Sequence, residues 1–465
     1  MASPTFSEIW YRGAVLRPRL SVGAEVRRQT FRGRPWYVVA DAYGHRFFRL
    51  HRSAWDVVGR LDGTRTVDEV WRTSLARQGD AALTQDEVVR LLSQLFSANL
   101  VQGDVPPDAE ALFRRQRKKE RRERVGRFAN VLFLRFPLVD PDRVLDRWTG
   151  VFGRLFAPAG LAGLVAFGIL CAYVLAARAP ELASRAASVL SPEALPLLYL
   201  GLVLVKGLHE LGHAFAAKHF ARVEGGRGEI HAMGIALLVF VPLPFVDVSC
   251  AWGLRSRWRR AGVGAAGVLV EFACAGVAAL VWANTGPGTV NDLAYDFLWI
   301  ASVSTLLFNG NPLLRYDGYY VLSDLIEIPN LALRSNEYLG YLVKRYVWRV
   351  PGIDSPADGE GEALWLGAYG LAAGAFRIFV CGGILLFVAD RWFFFGAFFA
   401  AASLVAWGVL PLLRLGSYLA TDPELDRVRP RAIATTALAA VVVLAELGLV
   451  PVPERCRVDA VAMPR

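Results

Sequence analysis

Seven apolar stretches constrain this chain more than any other feature: Leu155–Ala177, Leu195–Lys218, Ala261–Ala283, Leu293–Pro312, Leu366–Val388, Trp392–Leu413 and Ala432–Val450. Each approaches the length of about 20 residues that a helix needs to cross hydrocarbon. A bilayer satisfies no backbone polar group, so such stretches become helices. Residues of hydrophobic type make up 54% of the chain. The expected fold class is therefore mainly α: a polytopic membrane protein with about seven transmembrane helices. One further apolar run, Met233–Val246, is too short to cross and contains Pro242 and Pro244, so it reads as a re-entrant or interfacial piece.

The net charge of +10 could point to nucleic acid. Lys and Arg instead cluster in the front part and in alternate loops between the apolar stretches, which is how membrane orientation is set. The reading is an N-terminus in the cytoplasm, a C-terminus outside, a bacterial cytoplasmic (inner) membrane location and no nucleic-acid partner. Arg12, Arg17 and Arg19 interrupt the first twenty residues, so no cleavable signal peptide is expected there. The five cysteines are scattered and read as small apolar residues, not as disulfides or metal ligands.

Four segments follow. Residues 1–105 form a small cytoplasmic domain, α+β and winged-helix-like. Trp36–Ala40 and Arg46–Leu50 make a hairpin, and helical patterns run over Ser53–Leu61, Thr66–Gln78 and from Thr84 to Ala98. Glu87, three residues after Thr84, signals a capping box. Residues 106–150 read as a basic linker, densest over Arg114–Arg127, which holds that end at anionic headgroups. Residues 151–450 are the transmembrane domain, and 451–465 an extracytoplasmic tail.

Within the second apolar stretch lies G-L-H-E-L-G-H, residues 207–213. His209 and His213 are four apart, so a helix puts both imidazoles on one face where they can bind one zinc ion. Glu210 stands beside them to take the proton of a water. Two histidines leave a catalytic zinc one protein ligand short, and a carboxylate usually completes the set. Asp317, in N-G-N-P-L-L-R-Y-D-G just after the fourth stretch, is the candidate. The other polar residues in apolar stretches, Lys206, Glu271, Arg377 and Glu446, are expected to pair with one another or to snorkel. His219 and His231 fall outside the metal sphere.

H-E-L-G-H in one stretch with N-x-N-P-L-L-R-Y-D-G at another resembles the site-2 protease family of intramembrane zinc metalloproteases, M50-type, in its bacterial peptide-metalloprotease branch. The resemblance covers roughly residues 195–330. It implies Zn2+ held by His209, His213 and Asp317, with Glu210 as the catalytic base and Asn311 positioning substrate. Asn309 is grouped with Asn311, with a helix-ending or interhelical hydrogen-bonding role left open for it. Tyr316 stands where the family commonly has Leu, which bears on substrate preference. The front domain resembles PqqD-like peptide-recognition domains, in F-F-R-L-H-R-S-A-W-D-V-V-G-R-L-D-G-T-R-T-V-D-E-V (residues 47–70). Together these imply an intramembrane endopeptidase acting on a membrane protein or on a ribosomally made peptide precursor. The alternative is a non-proteolytic partner in peptide maturation or export, handing its cargo to export machinery.

Overall fold

The computed structural model describes residues 10–41, 47–98, 100–103, 133–185, 195–226, 228–238, 241–391 and 393–449. The Arg114–Arg127 run and the 451–465 tail lie outside the described residues. The chain is mainly helical, with three small sheets among the described residues, and it divides into two units, Ala2–Asn330 and Leu331 onward.

The first unit opens with helix α1 (Trp10–Ala14) and strands β1 (Arg19–Leu20), β2 (Ala24–Phe31), β3 (Arg34–Asp41) and β4 (Phe47–Leu50). Helices α2 (Arg52–Val58), α3 (Val67–Gln78) and α4 (Gln85–Ser97) follow, then β5 (Val101–Gln102). β3 and β4 are the hairpin expected from the sequence. β2 adds a third strand, joined to β3 across Arg32 and Gly33, both at positive φ (49° and 77°), the backbone of a tight two-residue hairpin turn. Two reciprocal capping boxes start the helices, Thr66 with Glu69 for α3 and Thr84 with Glu87 for α4. Apolar residues of α4 recur at helical spacing, and Val88, Leu92 and Leu95 are at most 1% exposed. Burying one such side chain is worth about 1.5–3 kcal/mol.

The expected basic linker folds in its second half. Residues 133–139 are strand β6 (Phe133–Val139), and helix α5 (Asp142–Phe152) packs on a later helix through Leu145, while Asp146 binds Lys218. Next come α6 (Pro158–Ala177), α7 (Ala179–Ser184) and the long helix α8 (Leu195–Val223). Met233–Val246 departs from the sequence reading: it forms strands β7 (Met233–Leu238) and β8 (Val241–Val246), joined to β6 in an antiparallel sheet of order β6-β7-β8. Pro242 and Pro244 suggested a broken backbone, but both sit on an edge strand, where a missing N–H costs no ladder bond. Helix α9 (Arg257–Asn284), helix α10 (Thr289–Val303), a π-helical stretch (Ser304–Asn309) and helix α11 (Asp317–Leu325) complete the unit. α9 is its hub, packing on α6, α8, α10 and α11.

The front domain is docked on this unit. Gln29 Nε2 donates to the carbonyls of Trp252 (3.0 Å) and Leu254 (3.1 Å). The Arg49 guanidinium lies 4.6 Å from both the Phe31 and Trp252 ring centres, and that of Arg260 lies 4.7 Å from Phe31. Burial, and then the Arg260 charge, pull the Arg49 pKa down to about 10. Arg260 in turn binds Asp324 on α11 at 2.9 Å.

The second unit comprises α12 (Leu331–Leu342), α13 (Glu360–Arg391), α14 (Phe393–Leu404), α15 (Leu410–Thr421) and α16 (Arg429–Leu449). Arg334 pairs with the buried Glu362 where α12 meets α13. Trp348, Val350, Leu419, Leu425 and Ala432 form its core.

Among the described residues three helices are long and apolar enough to cross a membrane: Pro158–Ala177, Arg257–Asn284 and Gly361–Ala389. About seven were expected. The other four stretches are helical, but α8 carries Lys206, Glu210 and Lys218, and α16 carries Arg429, Arg431 and Glu446. The remaining two are interrupted by π-helical turns at Ser304–Asn309 and Val405–Val409.

Candidate metal centre

Helix α8 presents His209 and His213 on one face, 3% and 6% exposed, with ring centres 4.6 Å apart. Their face is met by α9 at a glycine. A Cβ at Gly267 would lie 2.4 Å from His209 Cε1 and 2.5 Å from His213 Nε2, so only glycine leaves room for the two rings. A Cβ at Gly212 on α8 would lie 2.8 Å from Val270 Cγ2 and 3.1 Å from the Ala266 carbonyl oxygen, and these small residues set the helix approach.

Asp317 opens α11, and the chain reaches it through a tight fold-back. A Cβ at Gly318 would lie 2.5 Å from the Gly310 carbonyl oxygen, so the backbone closes on itself there. Asp317 Oδ2 then lies 2.9 Å from His209 Nε2 and 3.4 Å from His213 Nε2, and the two Nε2 atoms are 3.0 Å apart. Two helices far apart in sequence thus bring the three expected ligands together.

Hydrogen-bond chemistry shows what these atoms can accept. His213 Nδ1 lies 2.7 Å from the Val263 carbonyl oxygen, and His209 Nδ1 lies 3.1 Å from Glu271 Oε1. The Val263 carbonyl oxygen only accepts, so His213 carries a proton on Nδ1 and turns an Nε2 lone pair inward, whereas His209 Nδ1 stands beside Glu271 without a completed hydrogen bond. Among the described residues no hydrogen bond reaches Asp317 Oδ2. These three atoms lie close enough together to hold one metal ion between them. Tetrahedral zinc with bonds of about 2.0–2.1 Å separates its ligands by about 3.3 Å, close to the spacing found. The donor set fits that ion.

Glu210, half-buried beside the histidines, accepts a hydrogen bond at Oε2 from the Val246 N–H of β8, 2.9 Å away. Alternation along β8 turns Pro242 and Pro244 toward the same side as Val246. The Pro242 carbonyl accepts from Tyr199 Oη of α8 at 2.8 Å. The edge of β8 against α8 therefore has a single donor among these three positions, and it is spent on Glu210.

Asn309 and Asn311, the residues grouped as substrate-positioning, both make hydrogen bonds within the unit. Asn309 is 6% exposed and donates to both oxygens of Glu271 at 2.9 and 3.0 Å, the interhelical role left open for it. Asn311 accepts from the Leu313 N–H at 2.9 Å, an Asx turn that shapes the chain toward Asp317. His231 pairs with Asp140 and His219 packs on Phe220, both outside the metal set as expected. Lys206 and Glu271 pair at 2.6 Å, while Arg377 and Glu446 are exposed. Sequence reasoning missed Glu271 as a neighbour of His209 and Gly267 as the seat of both rings. A carboxylate inside an apolar stretch was the one available signal.

Comparison with family models, curated proteins and solved structures finds no match for this chain.

Proposed function

We propose that this chain is a zinc-dependent endopeptidase of site-2 protease type, hydrolysing a peptide bond of a membrane-associated protein or peptide. The observation that carries the reading is the convergence of His209 Nε2, His213 Nε2 and Asp317 Oδ2, with Glu210 adjacent in sequence to the first. When bound, zinc supplies a Lewis acid that polarises a carbonyl and makes water acidic near neutral pH. Glu210 accepts the water proton as the oxygen attacks the scissile carbonyl carbon, then delivers it to the leaving amine nitrogen. Val246 N–H keeps the carboxylate aimed during both transfers. The buried surroundings strengthen each interaction with developing charge.

The same reading takes seven membrane crossings, with the N-terminus cytoplasmic, and a front domain that holds the leader of a peptide precursor. Docking of that domain on α9 and the turn before it supports it, since a captured peptide would be delivered beside the centre. The test is a membrane-embedded reporter peptide in liposomes, with wild type beside Glu210→Gln. Cleavage by wild type and its loss in a variant that keeps zinc supports hydrolysis. Equal peptide processing by both proteins would favour the second reading, a maturation or export partner that keeps the fold without the chemistry.

A further inference from the structure

Glu271 lies at the middle of α9 with 0% of its side chain exposed, and three side chains donate to it. Lys206 Nζ reaches Oε1 at 2.6 Å from α8, and Asn309 Nδ2 reaches both oxygens. Thr305 Oγ1 donates to Oε2, and His209 Nδ1 stands 3.1 Å from Oε1. Thr305 and Asn309 are four apart on the π-helical stretch, whose wider turn brings both to the same carboxylate. A carboxylate alone in a span is costly. This one is held by donors from two other elements, and the unpaired Nδ1 of a proposed metal ligand stands 3.1 Å from it.

We infer that Glu271 is a positioning residue for the metal centre, fixing His209 in its Nδ1–H form so that the Nε2 lone pair points at His213 and Asp317. The inference rests on the zinc-hydrolase reading. The two histidines of the motif are thereby unequal: His213 is oriented by the neutral Val263 carbonyl, His209 by a charged carboxylate. A carboxylate on the far nitrogen raises the basicity of the ligating one and tightens metal binding. Lys206 has a matching task. Its Nζ, 2.6 Å from Oε1, holds the Glu271 carboxylate in place beside His209.

The experiment compares full-length wild type with Glu271→Gln, which keeps volume and an acceptor but removes the charge. Zinc affinity is read by competition with a chromophoric chelator, and the Co2+ form by its visible absorption. The expected result is an affinity lower by about 10–100-fold and a shifted cobalt band, with an unchanged helical circular-dichroism signal. An affinity and cobalt band equal to wild type would overturn the inference. Wild type gives an independent reading that needs no variant to fold: 15N-histidine NMR of the zinc form must show one His209 nitrogen, Nε2, on the metal and a retained Nδ1 proton. A deprotonated or metal-bound Nδ1 overturns it. Failure of wild type to bind zinc at all would instead overturn the hydrolase reading beneath it.

Discussion

Glu210 Oε2 accepts the backbone N–H of Val246 at 2.9 Å, tying the proposed base on α8 to the edge of the β6-β7-β8 sheet. The strand reaches Glu210 through a position where the alternation Pro242, Pro244, Val246 leaves only one donor. Val246→Pro would extend that alternation and remove the N–H, along with the packing of the Val246 side chain on the cluster beside α8. A hydrogen bond to a charged group contributes about 1.5–3 kcal/mol, so turnover of the reporter peptide should fall by roughly tenfold or more. Zinc content should stay at the wild-type level. Unchanged turnover would show that the contact does not aim the base.

Gly267→Ala puts a methyl group where the two imidazoles lie, 2.4 Å from His209 Cε1 and 2.5 Å from His213 Nε2. Overpacking costs about 1–3 kcal/mol, and here the strain falls on the ligand rings. Zinc affinity should drop at least tenfold. Gly264→Ala meets Val321 Cγ2 at 3.0 Å, one turn away and clear of the rings, and should change zinc affinity far less. Equal effects of the two variants would count against Gly267 as the seat of the site.

Phe31 lies between the guanidinium groups of Arg49 and Arg260, at 4.6 and 4.7 Å from its ring centre, and is 4% exposed. Phe31→Ala removes the ring both cations face, and truncations of this kind cost about 3–5 kcal/mol. The front domain should become sensitive to limited proteolysis and exchange its docked backbone amides faster. Zinc should remain bound, because Arg260 keeps its ion pair with Asp324. Proteolysis at the wild-type rate would mean that the domain is held by other contacts.

Thr66 and Thr84 show what the sequence makes legible. A capping box needs two residues three apart, and both boxes close as their spacing requires. His209 and His213 are legible for the same reason, since one helical turn places both ligands. Asp317 is a different case: its motif is local, but its approach to the histidines depends on α8, α9 and α11 packing together. Glu271 has no local motif at all, and its function is defined only by what α8 and the π-helical stretch bring to it. β2 was missed because Glu25, Arg27 and Arg28 spoil its apolar alternation, leaving Gln29 and Phe31 buried only at the docked end. β6 was missed because its partner β7 lies about a hundred residues away. Hydropathy marks seven apolar stretches, and among the described residues three of them are helices long and apolar enough to cross a membrane, the others carrying ionisable residues or passing into π turns.

The most direct test of the account is the zinc content of purified protein, wild type beside Asp317→Ala and His213→Ala. The account requires about one zinc per wild-type chain, as a closed three-ligand set implies, and its loss in both variants. A folded wild-type protein without zinc, or variants that retain it, would contradict the proposed centre.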